Sequence, residues 1–87
     1  TAMPIVFLMN QMEWREAISD AKATQNIERL ENIGRELAAE TSALEQHLAS
    51  LLDETHDLSA ATVAVRKLRF MEKLEKEIGD AIETLLF

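Results

Sequence analysis

The 87-residue chain contains no cysteine and no tyrosine, one proline and two glycines. The absence of cysteine excludes disulfides, thiolate metal sites and thiol nucleophiles. It also fits a reducing compartment. The scarcity of proline and glycine, together with the lack of β-branched runs, argues for helices throughout. No apolar stretch approaches the roughly 20 residues of a membrane-spanning helix. There is no basic start followed by an apolar run and a small-residue cleavage site, so no signal peptide is read. Cations are few as well. A formal net charge of −7 argues against nucleic acid, whose phosphates need clustered Lys and Arg. A basic protein partner is compatible with that charge.

What is present is apolar residues at helical spacing, 47% hydrophobic against 29% charged, in a chain long enough for one modest core. Pro4 suits the first turn of a helix, where its missing N–H costs little. A first helix is predicted over residues 4–22, ending near Lys22. Thr24 is the expected N-cap of a second helix over residues 24–53. There Ile27, Leu30, Ile33, Leu37, Thr41, Leu44, Leu48 and Leu51 step by three or four. Gly34 lies inside that helix, as a point of close approach or a mild defect. Residues 54–57 form the second turn, with Asp57 or Ser59 capping a third helix over residues 58–86. Its seam is Val65, Leu68, Met71, Leu74, Ile78, Ile82 and Leu85. Short turns between long helices make neighbours antiparallel. The expected fold is all-α, a single up-down-up three-helix bundle with a short first helix and long, antiparallel second and third helices.

The first helix has more large apolar residues than one face can hold. With Phe7 at zero and about 100° per residue, Gln11, Trp14 and Ile18 fall within about 40° of it. Ala17 and Ala21 flank this core stripe. Leu8, Met9 and Met12, with Glu13, Glu16 and Asp20, fall between about 100° and 240°. A free-standing bundle would put polar residues there. A second helix could cover these apolar side chains, or a partner protein could. Methionine suits a partner surface because it is flexible and polarizable. On the third helix, Phe70 sits about 100° from the core centre, beside Arg66, Arg69 and Lys73. It is either core rim or part of a contact surface. Residues 66–76 hold five of the nine basic residues, a solvated face with i,i+4 partners such as Glu72 with Lys76.

FLMNQMEWRE at residues 7–16 and VRKLRFMEKL at residues 65–74 resemble the C-terminal domain of HscB-type co-chaperones of iron–sulfur cluster assembly. Their spacing, the long middle helix and the ending Glu-Thr-Leu-Leu-Phe are similar too, so the resemblance covers essentially the whole chain. It implies a three-helix bundle that binds the IscU scaffold protein. It implies delivery of that scaffold to the HscA chaperone, whose ATPase the family's N-terminal J domain stimulates through a His-Pro-Asp motif. This sequence has no His-Pro-Asp and corresponds to the scaffold-binding half, with the J domain absent from this chain. The family's scaffold contacts carry over to Leu8, Met9 and Met12, with Phe70 joining from the third helix. Its acidic contacts carry over to Glu13, Glu16 and Asp20. Met12 stands where the family commonly has Leu, Asp20 where a longer acid is familiar, and Asn10 where an acid can occur. Bacterial cytoplasm is the expected compartment, ahead of the mitochondrial matrix.

Two other classes compete with this reading. An enzyme or metal protein finds little support. Asp53 and His56 give one acid–His pair, whereas a bundle di-metal site needs matched carboxylates and Glu-x-x-His pairs from several helices. His47 lies near the second-helix seam, and neither a phosphate loop nor a nucleophile motif occurs. No cofactor, metal or catalytic residue is assigned. The other class is a structural or oligomerising bundle, such as a spectrin-like repeat with a Trp in its first helix. The chain ends at Leu85-Leu86-Phe87, without a helix continuing into a neighbour, which argues against an array.

Overall fold

The computed structural model describes residues 3–87. It contains three helices, α1 (Ile5–Ala23), α2 (Ile27–Ser50) and α3 (Leu58–Leu86), with one wider π-helical turn at Leu51–Thr55 closing α2. They form the expected all-α, up-down-up bundle, with extents of 45 × 22 × 15 Å.

Each helix end follows from its local sequence. Pro4 sets φ at −58° ahead of α1, and its carbonyl accepts the first helical hydrogen bond from Leu8 N at 3.1 Å. At the other end the carbonyls of Asp20, Ala21 and Lys22 accept from the amides of Thr24, Asn26 and Gln25. Gln25 takes the left-handed conformation (φ 54°), a place usually given to glycine. Thr24 does not cap α2. Its hydroxyl turns back and donates to the Asp20 carbonyl at 2.9 Å, closing α1. The cap is Asn26, whose Oδ1 accepts from Arg29 N at 2.9 Å.

The second turn also differs from expectation. Helical winding persists to Thr55, whose hydroxyl donates to the Leu51 carbonyl at 3.1 Å. The break comes at His56, in the left-handed region with φ 52°. Asp57, one of the two expected caps, starts α3 by accepting from Ala60 N at 3.0 Å.

The core combines Phe7, Ile18 and Ala21 of α1 with Leu30, Ile33 and Leu37 of α2 and Met71, Leu74, Ile78 and Ala81 of α3. Ile18, Leu30, Ile33, Leu37, Met71 and Leu74 are fully buried, each worth about 1.5–3 kcal/mol of transfer free energy. Trp14 is only half-buried, while Gln11 in the same stripe is buried. Thr41 explains its place in the apolar seam: its hydroxyl donates to a Glu75 carboxylate oxygen of α3 at 3.2 Å.

α1 touches α2 and α3 but does not reach the π-helical turn. The far end of the α2–α3 hairpin is therefore two helices thick, with a small separate cluster of Leu51, Ala61 and Ala64. This corrects the α3 seam. Val65 is exposed, because no α1 lies over it, and the small Ala61 and Ala64 make the close approach to α2. Gly34 is not a required gap. A Cβ there would meet Ile78 Cγ2 at 3.6 Å, an ordinary contact. Lys76 pairs with Asp80 at 2.9 Å, the turn ahead of it, rather than with Glu72.

Candidate functional site

Leu8, Met9 and Met12 lie on the outside of α1, and no other helix covers them. Their exposures are 38%, 55% and 69%. Residues of one short stretch thus divide between the core (Phe7, Gln11, Ile18) and solvent. Truly surplus apolar side chains, rather than a misplaced stripe, make this surface.

Neighbouring grooves fix the orientation of α1. Lys22, on the flank about 60° to one side of Phe7, shares a groove with Glu77, Asp80 and Ala81 of α3. Asn10 and Trp14, on the opposite flank, share one with Glu40 and Leu44 of α2. Leu8 and Met12 therefore lie just beyond the edge that faces α3. Glu13 and Asp20 lie beyond the edge that faces α2, in a shallow groove shared with Glu16, Asn26 and Arg29. Met9 and Glu16 are outermost.

Phe70 approaches from α3. Its ring packs on Phe7, with centroids 5.9 Å apart and planes tilted by 50°, a geometry favourable for aromatic pairs. It remains half-buried, so it belongs to the rim of the core and still offers surface. The Lys73 ammonium sits 5.7 Å above the Phe70 ring, and that of Lys67 sits 5.6 Å above Phe7. Met3 packs beside Phe70, and the two share a groove with Arg66, Arg69 and Lys73.

Of the expected residues, Glu13, Glu16, Asp20, Met9, Leu8 and Met12 thus lie on the outward side of α1, and Phe70 lies on the flank of α3 that meets Phe7. An apolar centre with a charged rim is the usual anatomy of a protein interface. Among the described residues no three His, Asp or Glu side chains gather to hold a metal ion, and both His47 and His56 are exposed. Among those residues no helix is long and apolar enough to cross a membrane.

A second apolar surface escaped the sequence reading. At the uncovered tip, Leu52, Leu58 and Val65 are exposed and line a groove with Leu48, Arg66 and Arg69. One signal was available: Leu52 and Leu58 stand on either side of the turn and belong to neither helical seam.

Comparison with known proteins identifies the kind of domain. Residues 3–79 match the model of the HSCB C-terminal oligomerisation domain. A protein of Chromobacterium violaceum named co-chaperone protein HscB homolog is 57% identical over 86 residues, covering 99% of this chain and 48% of that protein. Proteins of the same name from Burkholderia thailandensis and an Azoarcus species are 49% and 45% identical over 85 residues, covering 98% of this chain and 48% of each. The chain spans about half the length of these curated relatives. No solved structure matched it.

Proposed function

This chain belongs to the HscB co-chaperone family, and we propose that it is the part that binds an IscU-type iron–sulfur cluster scaffold. One observation carries the reading. Three large apolar side chains, Leu8, Met9 and Met12, stand exposed on a helix whose opposite face already fills the core. Such a patch leaves apolar area in contact with water, and a partner that covers it gains the free energy of its burial.

Leu8, Met12 and Phe70 supply most of the affinity, each costing about 1–3 kcal/mol on truncation to alanine. Met9 adapts to the partner's contour. Glu13 and Glu16 steer and orient a basic patch, with Asp20 contributing at the end of the row. These rim pairs are salt-sensitive and worth about 1 kcal/mol or less each. The chain's work is tethering, with no bond made or broken by its own residues. In the complete co-chaperone, a J domain outside this chain engages an HscA-type chaperone, and scaffold held on α1 is delivered to it. The setting is the bacterial cytoplasm.

The experiment is a calorimetric titration of this domain with an IscU-type scaffold, beside Leu8→Ala/Met12→Ala/Phe70→Ala with helicity checked by circular dichroism. Saturable binding by the parent, lost in the folded variant, supports the reading. Absence of binding by the parent sinks it.

A second reading has its own support. The matched family description speaks of oligomerisation, and the tip offers Leu52, Leu58 and Val65 to a second copy. Sedimentation of the parent and of Leu58→Glu distinguishes the two. A concentration-dependent dimer that this substitution dissolves favours self-association.

A further inference from the structure

The α1 surface is bordered by charge of opposite sign on its two sides. Glu13 and Glu16 hold one edge. On the α3 side, Arg69 and Lys73 line the groove of Phe70 and Met3, Arg69 reaching the tip groove as well. Neither cation is paired with a carboxylate among the described residues; the ion pair on the next turn of α3 is Lys76 with Asp80. Arg69 and Lys73 are also i,i+4 neighbours on the same helix, an arrangement in which like charges repel. An isolated helix gains nothing from that repulsion. An anionic group brought by a partner converts it into attraction.

We propose that the partner docked on α1 presents carboxylates to Arg69 and Lys73 while presenting cations to Glu13 and Glu16, and that this polarity sets its orientation. The inference rests on the docking reading above. It adds the second half of the electrostatic code and names the chemistry the partner must show there. Complementary potentials across an interface fix register and suppress wrong orientations. Opposite signs on the two edges penalise a partner turned end for end at both edges, where a single acidic edge penalises it at one. Lys73 is placed for both tasks, since its ammonium already rests on the Phe70 ring at the apolar boundary.

The chain's overall charge makes the test sharp. Reversing both cations in Arg69→Glu/Lys73→Glu changes each site by −2, taking the formal net charge from −7 to −11. If attraction between an acidic domain and a basic scaffold were the whole of the electrostatics, this variant would bind more tightly. Local carboxylates on the partner demand the opposite sign.

The experiment is calorimetric titration of an IscU-type scaffold into the parent, this charge-reversal variant and Arg69→Lys/Lys73→Arg, with fold checked by circular dichroism. The reversal is expected to weaken binding about tenfold or more, the loss shrinking as salt is raised. The swap that keeps both charges is expected to bind within about threefold of the parent. Should the reversal disturb α3, Arg69→Gln/Lys73→Gln is expected to weaken binding by about threefold. A parent that binds while the reversed variant binds equally well or better overturns the inference and leaves the docking reading standing. A parent that does not bind overturns both.

Discussion

The two ends of this bundle solve the same packing problem differently. Where α1 lies across α2 and α3, three helices share one core, and Ile18, Leu30, Ile33, Leu37, Met71 and Leu74 are lost to solvent completely. At the tip only two helices meet, and the cluster of Leu51, Ala61 and Ala64 lies under an apolar skin of Leu52, Leu58 and Val65 that water still touches. Both ends expose apolar side chains. They differ in what frames them. On α1 the acids Glu13, Glu16 and Asp20 share the exposed side with Leu8, Met9 and Met12, while the tip groove is lined by Arg66 and Arg69, with the exposed Asp53, Glu54 and Asp57 in the turn beside it. Exposure alone therefore does not distinguish a docking surface from a thin end of a fold. The arrangement of charge around it does.

The largest effects should separate core from tip. Leu74→Ala is expected to cost about 2–5 kcal/mol in urea unfolding. Leu51→Ala, at the edge of the small cluster, should fall near or below the bottom of that range, because the site can collapse. Equal costs would mean that the tip is as fully packed as the covered half.

Next come substitutions that divide binding from folding. Met12→Ala should change stability by less than about 0.5 kcal/mol. It should weaken scaffold binding by about 1–3 kcal/mol. Phe70→Ala should do both, since its ring also packs on Phe7. Chemical unfolding beside titration calorimetry reads the contrast, and a Met12→Ala that lost stability as Phe70→Ala does would erase it.

The caps test whether the tip is anchored as firmly as the other turn. Asn26→Ala and Asp57→Ala each remove an acceptor for a backbone amide and should each cost about 1 kcal/mol by thermal unfolding. Smaller gains are expected at the glycines. Gly34→Ala and Gly79→Ala should each stabilise by about 0.5–1 kcal/mol, since neither added Cβ meets an obstacle.

The smallest effect belongs to the exposed pair on α3. Asp80 accepts a hydrogen bond from Lys76 and raises its pKa. That contribution is present below the ordinary lysine range and lost as pH rises through the raised value. Asp80→Asn at neutral pH should leave the melting temperature unmoved within error.

Much of this was legible in the sequence, and the exceptions have physical causes. Helical spacing separated Phe7 and Ile18 from Leu8 and Met12 because the wheel depends only on backbone geometry. The family resemblance agrees with the matched domain and relatives. The role of Thr24 was not legible, since Thr24 and Asn26 are both good caps and the choice depended on Gln25 accepting a left-handed conformation. Val65 looked like core because periodicity says nothing of where α1 stops. The tip groove was missed for the same reason. Phe70 could be placed on the flank of α3, but only its contact with Phe7 shows that it serves core and surface together.

The most direct test of the central claim is a methyl spectrum of the domain, labelled at methionine and leucine, with and without an IscU-type scaffold. The four methionines include Met9 and Met12 on the α1 face and fully buried Met71 as an internal control. The account predicts that Leu8, Met9 and Met12 shift on addition of scaffold while Leu52, Leu58 and Met71 stay in place. Shifts at Leu52 and Leu58, with Leu8, Met9 and Met12 unmoved, would place the partner on the tip and contradict it.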